Sequence, residues 1–439
     1  MPVLTVFRDL IAKYPTWDAL SAWLESKEGG SLRVVKTQNA ENSDADVGTG
    51  SRYVIVRYDK KSSDMKAAHV GAFRSVVWDT QANRPVAMAP PKAERGVPSE
   101  DVAVRVSDFV DGVMVNVWRG VDASGGGAAQ QLATRTSLGA AGHFYSQKSF
   151  AQLFAEVAGA GDLSVGFADG EFASCVLQHP EHRTVHPITE PSLLVVMTGL
   201  VAADGTVTLQ YAPSAWPEAL RSRAPRVFSE NKTFKRAAEA LGEVQQQAYL
   251  EPAGWQGLVF QEMGGVGRRW RVRNSTYVML RGLRGGEPTV KARFARLRAE
   301  KQVKAYLKYY TDETAAFWDC EQLLRRATGQ LFELYGKLHK SKEVTWRDVA
   351  FALRGHLYAL HGKYVNELRE KKQTVTREIV VEYVNALPAD QIFSLLREHN
   401  PPTEEQLAKA DERRAARKAA ADSFSGENPL RAATTDASA

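Results

Sequence analysis

The sequence predicts an α+β fold, with strands gathered in the first two thirds and helices in the last third. Three observations carry this. Up to about residue 286, short apolar or alternating runs are separated by Gly-, Pro- and Asp-containing turns. After Gly285-Gly286 the apolar period becomes helical for more than a hundred residues. From Pro401 apolar residues thin out, and 421–439 is rich in Ser, Thr and Ala, which leaves no material for a core and predicts disorder. The expected domains are therefore 1–286, 287–400 and a charged, low-complexity tail, 401–439.

Taken in order, residues 1–30 place Leu4, Phe7, Leu10 and Ile11, then Trp17, Leu20, Trp23 and Leu24, at helical spacing. Thr16 or Asp18 caps the second helix, and Gly29-Gly30 ends it. Residues 38–51 read as a loop. Tyr53–Arg57 and Arg74–Asp79 read as strands. Asp111-Gly112 is a turn feeding a buried strand, Val113–Trp118. Ser124–Gly127 is a hairpin tip before the strand Gln131–Arg135; it lacks the Gly-Lys-Ser/Thr ending of a phosphate-binding loop. A helix at Ser149–Val157 precedes strands at Phe172–Leu177, Ser192–Thr198 and Thr206–Tyr211, the last two joined at Ala203-Asp204-Gly205. A helix follows over 231–249, then strand-like runs at Gly257–Gln261, Arg268–Val272 and Tyr277–Arg281. Beyond Gly286, Tyr306, Leu307, Phe317, Leu324, Leu331, Leu353, Leu357, Val380 and Tyr383 mark successive helices.

Composition narrows the function classes. Apolar residues make up 44% and charged residues 25% of the 439 positions, ordinary for a soluble globular protein. Two cysteines, Cys175 and Cys320, exclude a disulfide framework and a Cys-rich zinc site and suit a reducing compartment. The N-terminus does not read as a signal peptide, and no apolar run is long enough to span a bilayer. The expectation is a soluble, intracellular protein with no membrane partner. Net charge is +6, yet residues 281–420 hold 27 Lys+Arg against 19 Asp+Glu, so the remainder is slightly acidic. Between Gly264 and Gly286 stand six arginines, Arg268, Arg269, Arg271, Arg273, Arg281 and Arg284, and no acid. Arg269, Arg271 and Arg273 alternate with Trp270 and Val272, which makes one strand face cationic and the other apolar. Lys291, Arg293, Arg296, Arg298, Lys301, Lys304 and Lys308 extend the charge along the next helical segment. Such clusters suit a polyanionic partner, RNA or another nucleic acid. His179, His182 and His186 fall in one short loop at a spacing that matches no metal motif and read as a turn. His356 and His361 read as structural.

The order of motifs resembles the phage-type RNA ligase family of covalent nucleotidyltransferases, particularly the versions found in large DNA viruses. Arg74–Asp79 with Pro90-Pro91-Lys92 is similar to the segment before the active site. Phe109-Val110-Asp111-Gly112 stands where the family has Lys-x-Asp-Gly. Ala133–Gly139, including Arg135, then Leu177–Val185, Gln256–Phe260 and Arg271-Val272-Arg273 with Tyr277 match later motifs. The resemblance covers most of 15–400. It implies an antiparallel-sheet nucleotidyltransferase domain followed by a helical C-terminal domain.

In the family a lysine amine attacks the α-phosphorus of ATP. Phe109 offers no lone pair at that position. The family's glutamates near ribose and metal fall on Val176 and Gln256, neither of which is a carboxylate ligand for magnesium. The paired lysines of the last motif are Arg271 and Arg273, which keep the charge. The nucleotide-pocket positions are thus Phe109, Asp111, Gly112, Arg135, Val176, Gln256, Arg271 and Arg273. The resemblance implies a ligase-like protein that no longer adenylylates and binds nucleic acid or another polyanion, with no cofactor and no metal ligands, as a virion or nucleic-acid-associated component in host cytoplasm or particle if viral. The alternative is an active ligase using ATP and Mg2+, with Lys92 as a relocated nucleophile. On the plainest reading of the replacements, Phe109 and Val176 fill vacated space by apolar packing and Gln256 satisfies a local hydrogen bond.

Overall fold

The computed structural model describes residues 1–35, 52–98, 102–121, 128–159 and 161–397, with isolated positions beyond 402. The expected loop at 38–51, the hairpin tip Ser124–Gly127 and nearly all of the tail lie outside the described residues. The chain divides into two compact units, Met1–Gly285 and Gly286–Ala439. No described helix is long and apolar enough to cross a membrane.

The first unit carries three sheets. A six-stranded sheet runs in the order Val3–Leu4, Val207–Gln210, Ser192–Val201, Glu171–Gln178, Val113–Val121, Ala128–Thr134. A five-stranded sheet is ordered Val227–Lys232, Val104–Asp108, Gly257–Glu262, Arg269–Arg273, Glu94–Arg95. A four-stranded sheet is ordered Arg33–Val35, Tyr53–Arg57, Val76–Asp79, Arg84–Met88. Pairing is antiparallel throughout except between Arg269–Arg273 and Glu94–Arg95. The fold class is α+β, as its segregated sheets and helices predict.

Strand alternation builds three apolar layers. Val54, Val56, Val76, Trp78 and Met88 pack with Trp118, Phe172 and Met197 of the six-stranded sheet and with Phe7, Leu20 and Leu24 of the first two helices. Val115, Val117, Ala173, Cys175 and Val195 face Leu153 and Phe154 of the helix Phe150–Ala158. That helix begins on a reciprocal cap between Ser149 and Gln152, an arrangement that contributes about 1 kcal/mol. On the five-stranded sheet, Val104, Val106, Leu258, Phe260 and Trp270 form one face, covered by Phe234, Val244 and Trp255. The opposite face of those strands is free for polar work.

Three expectations need correction, and a fourth gains a detail. Tyr277–Arg281 is not a strand; it belongs to the helix Ser275–Arg284, whose N-terminus is capped by Asn274 accepting from the Thr276 N–H at 3.1 Å. A short apolar run cannot separate strand from helix by period, and the cap decides. The expected helix at 231–249 starts only at Ala237, because Val227–Lys232 is an edge strand on Val104–Asp108. Thr16 caps the second helix, which stops at Glu25, four residues before Gly29. There Ser26 Oγ donates to the Trp23 carbonyl at 2.6 Å and ends the helix without glycine. Finally, the turn at Asp111-Gly112 is also a change of sheet: the chain leaves Val104–Asp108 in one sheet and enters Val113–Val121 in another.

The second unit is helical: Val290–Ala299, Val303–Leu307, Thr314–Tyr335, Phe351–Lys363, Arg377–Asn385 and Ala389–Leu395. Phe294, Tyr306, Tyr310 and Phe317 form its aromatic centre, with the Tyr306 and Tyr310 rings stacked 4.4 Å apart. The positive run expected along its first helix is largely spent internally. Arg293 is buried and bonds Glu313 at 2.8 Å, Arg296 holds Glu287 at 2.7 Å and Glu300 at 2.9 Å, and Arg298 reaches Asn385 at 2.8 Å. His356 bonds the Tyr383 hydroxyl at 2.8 Å, and the His361 ring stacks on His339 at 4.0 Å.

Candidate anion-binding cleft

The free face of the five-stranded sheet is laid out by register. Arg105, Gln261 and Arg269 stand directly across three adjacent strands, and beside them Ser107, Val259 and Arg271 form a second row. Arg273 follows, opposite Gly257. The period of two sends these side chains away from Val104, Val106, Phe260 and Trp270, into a cleft of about 500 Å³. Ten cationic side chains line it: Lys60, Arg74, Lys92, Arg95, Arg105, Arg135, Arg269, Arg271, Arg273 and Arg281. Val113, Met114, Val176 and Val196 of the six-stranded sheet supply an apolar part of the lining.

The two acids among the lining residues are both engaged. Asp108 takes a two-pronged contact from Arg226 at 3.0 and 3.1 Å and the Trp255 indole N–H at 2.8 Å. Asp111 accepts the Tyr277 hydroxyl at 2.8 Å and the backbone N–H groups of Val185 at 3.1 Å and His186 at 3.4 Å. Asp111 thereby ties the sheet-changing turn to the His182–His186 loop and to the helix Ser275–Arg284. Gly112 is needed beside it, since a Cβ there would stand 2.5 Å from the Leu177 carbonyl oxygen.

The cations are poorly neutralised. Arg105 and Arg269 are 1% and 6% exposed. Arg269 donates to the Pro91 carbonyl at 3.0 Å and Arg74 to the Pro90 carbonyl at 3.3 Å, which fixes the Pro90-Pro91-Lys92 segment. Arg105 lies 3.3 Å from the exposed Glu230 carboxylate. Even so, Arg105 Nη2, Arg135 Nε, Arg269 Nε, Gln256 Oε1 and Gln261 Oε1 are buried with no hydrogen-bond partner among the described residues. Burial weighs against the charged form of Arg105 and of Arg269. It does so for Arg74 as well, reinforced by Arg269 and Arg135. Lys60 is pulled below its ordinary value by partial burial and then by Arg271, Arg135, Arg273 and Arg74. Like charges crowded this way destabilise one another until an anion enters. His182, buried among Phe144, Tyr145 and Phe150, is pushed down to about 4 by burial and then by Arg284 and Arg281, so it adds no charge near neutrality.

Most of the residues singled out in the sequence meet here: Phe109, Asp111, Gly112, Arg135, Val176, Gln256, Lys92, Arg269, Arg271, Arg273 and Arg281 all line the cleft. Two do not. Arg268 turns to the other side of its strand, pairs with Glu262 at 3.0 Å and lies over the Trp270 ring. Arg284 is buried against the Tyr145 ring, 4.4 Å from its centroid. The expected filling of the pocket by Phe109 and Val176 is also not what the structure shows. The Phe109 ring stands 5.3 Å from Arg273 and 5.9 Å from Arg271, held by cation–π attraction, and the cleft beside it stays open. Nor does Gln256 satisfy its carbonyl locally. Lys60, Arg95 and Arg105 also line the cleft and belong to none of the sequence motifs above. The alternation Val104-Arg105-Val106-Ser107 does carry a signal for Arg105, whereas Lys60 sits in a polar turn that reads as solvent-facing.

Away from the cleft, Glu156, His179 and Glu181 bring three metal-capable atoms within 4.8 Å of one another. The Lys148 ammonium already bridges the two carboxylates at 2.9 and 2.6 Å, so a cation of the protein's own fills that role.

No protein-family model matches the chain, and no curated protein matches it. Among solved structures, it is similar to two forms of an archaeal ATP-dependent RNA ligase. One is 14% identical over 71% of this chain and 75% of the other, with a TM-score of 0.36. The second is 13% identical over 71% and 76%, with a TM-score of 0.37. A candidate ATP-dependent DNA ligase from Aquifex aeolicus is 11% identical over 80% of each chain, with a TM-score of 0.37. These likenesses are faint, and the cleft's chemistry stands on its own geometry.

Proposed function

We propose that the chain is an RNA-ligase-like protein that does not adenylylate and that binds RNA, or another polyanion, through the basic cleft, as a structural or nucleic-acid-associated component. The observation that carries the reading is the Phe109 ring lining the cleft within 6 Å of Arg271 and Arg273, at the position where the resemblance would put an amine. Around it, Val176 and Gln256 supply no carboxylate, while Arg271 and Arg273 keep positive charge. Phosphates suit such a site, and binding to it weakens steeply as salt rises.

A second reading has support in the same cleft: two lysines, Lys60 and Lys92, line it, and either amine is a candidate relocated nucleophile for an ATP-dependent RNA ligase. Incubation with magnesium and α-labelled ATP separates the two. No labelled protein is expected. A labelled band lost in Lys60→Ala or Lys92→Ala overturns the first reading and names the nucleophile. For binding, RNA affinity that is absent or insensitive to salt rejects the polyanion site.

A further inference from the structure

The ligase resemblance brings a divalent cation with it, and the residues of the cleft do not fit one. A hard dication needs oxygen ligands, usually carboxylates. Asp108 is held by Arg226 and Trp255, and Asp111 by Tyr277 and two backbone N–H groups. Among the described residues, the buried side-chain oxygens of the cleft without partners are neutral amides, Gln256 Oε1 and Gln261 Oε1. Gln261 stands in register between Arg105 and Arg269 on the neighbouring strands, so a dication at its oxygen would face a guanidinium on each side. The unpartnered atoms of Arg105, Arg135 and Arg269 are N–H donors, which call for an anion.

We propose that the cleft takes a phosphate chain as the free anion, with guanidinium groups of Arg105, Arg135 and Arg269 in the place a divalent cation would otherwise hold. This rests on the reading of the cleft as a phosphate site and adds that the site is metal-independent. The arginine fork gives each phosphate parallel, charge-assisted hydrogen bonds, which is what a bridging magnesium would otherwise supply as charge alone. Magnesium then competes with the protein, because chelation removes the ligand charge that the arginines recognise.

The test uses the full chain and inorganic tripolyphosphate, followed by calorimetry and by the shift in melting temperature, in EDTA and in excess magnesium, with sulfate at matched ionic strength as control. Binding in EDTA that weakens several-fold in magnesium supports the proposal. Arg269→Met and Arg105→Met are expected to lose about tenfold in EDTA, the scale of one charge-assisted contact; their melting curves without ligand show whether they fold. The wild-type comparison carries the test if they do not. Binding that needs magnesium overturns the proposal and leaves the phosphate reading intact. Binding in neither condition, or no more than sulfate gives, overturns both. An RNA carrying a 5′-triphosphate, used as competitor in EDTA, identifies the source: tighter than tripolyphosphate places the phosphates on an RNA end, and equal or weaker places them on a free chain.

Discussion

Tyr277 donates its hydroxyl to Asp111 Oδ1 at 2.8 Å, joining a helix near the end of the first unit to the turn where the chain changes sheets. The pair sets how the cleft's floor is held. Among the described residues, the Asp111 carboxylate accepts from one hydroxyl and two backbone N–H groups. Tyr277→Phe removes the strongest oriented donor and is expected to cost about 2 kcal/mol, the range for a hydrogen bond to a charged acceptor. Urea unfolding with an unchanged slope checks it. Burial first, and the Asp111 carboxylate second, push the phenol well above its ordinary value of 10. The native state therefore holds this proton more tightly than the unfolded chain. Stability from it is complete below pH 10 and falls as pH rises beyond, and Tyr277→Phe removes that fall.

His182 gives the opposite sign. Its value of about 4 lies below the ordinary 6.5, mainly through burial, so the unfolded chain binds the proton more tightly. Its contribution is complete above pH 6.5 and is lost as pH falls toward about 4. The loss is on the order of 2–3 kcal/mol. Melting curves from pH 7 to 4 are expected to decline less steeply in His182→Phe. A bound anion lowers the cost of protonation by screening Arg281 and Arg284, so phosphate is expected to move the imidazole titration upward.

These relationships show what the sequence could and could not say. The split of Arg269, Arg271 and Arg273 from Trp270 and Val272 follows from the strand period alone, and the structure puts the two sets on opposite faces. Arg268 obeys the same rule: one position before Arg269, it falls on the Trp270 side and pairs with Glu262 there. Tyr277–Arg281 was readable as apolar but not as helical, since five residues fit either period and Asn274 as a cap decides. Val227–Lys232 is polar over much of its length, as an edge strand can be, and so carried no strand signal. The local alternation marks Arg105 as facing away from Val104 and Val106, but its place across from Gln261 comes from pairing between two strands far apart in sequence. Arg293 and its neighbours looked like free charge because acids that meet them are up to 23 positions away, as Glu321 is from Arg298.

The Arg293–Glu313 pair is itself testable. Arg293 is 1% exposed and reaches both Glu313 oxygens at 2.8 Å, while Tyr306 donates to the same carboxylate at 2.8 Å. Removing one charge strands the other out of water, which costs about 3–5 kcal/mol. Arg293→Met and Glu313→Met are each expected to lower helical-unit stability by that order. Arg293→Met with Glu313→Met is expected to lose less than either single change, because no unpaired charge remains. A double-mutant cycle by thermal unfolding checks the sign of the coupling.

Lys60 offers the most direct chemical readout of the empty cleft's potential. Its ammonium faces Arg271, Arg135, Arg273 and Arg74, and these together with partial burial lower its pKa. A lysine in that setting is unprotonated at a lower pH than lysines on the open surface, and only the unprotonated amine attacks an acylating reagent. Across a pH series, mass spectrometry of acetylated peptides is expected to show Lys60 modified earlier than surface lysines such as Lys27 or Lys371. Arg271→Met and Arg273→Met remove part of the repulsion and are expected to delay it. Tripolyphosphate in EDTA is expected to suppress it, both by covering the amine and by restoring the proton. If Lys60 reacts at the same pH as the surface lysines with and without phosphate, the cleft is not the concentrated positive field that its lining describes.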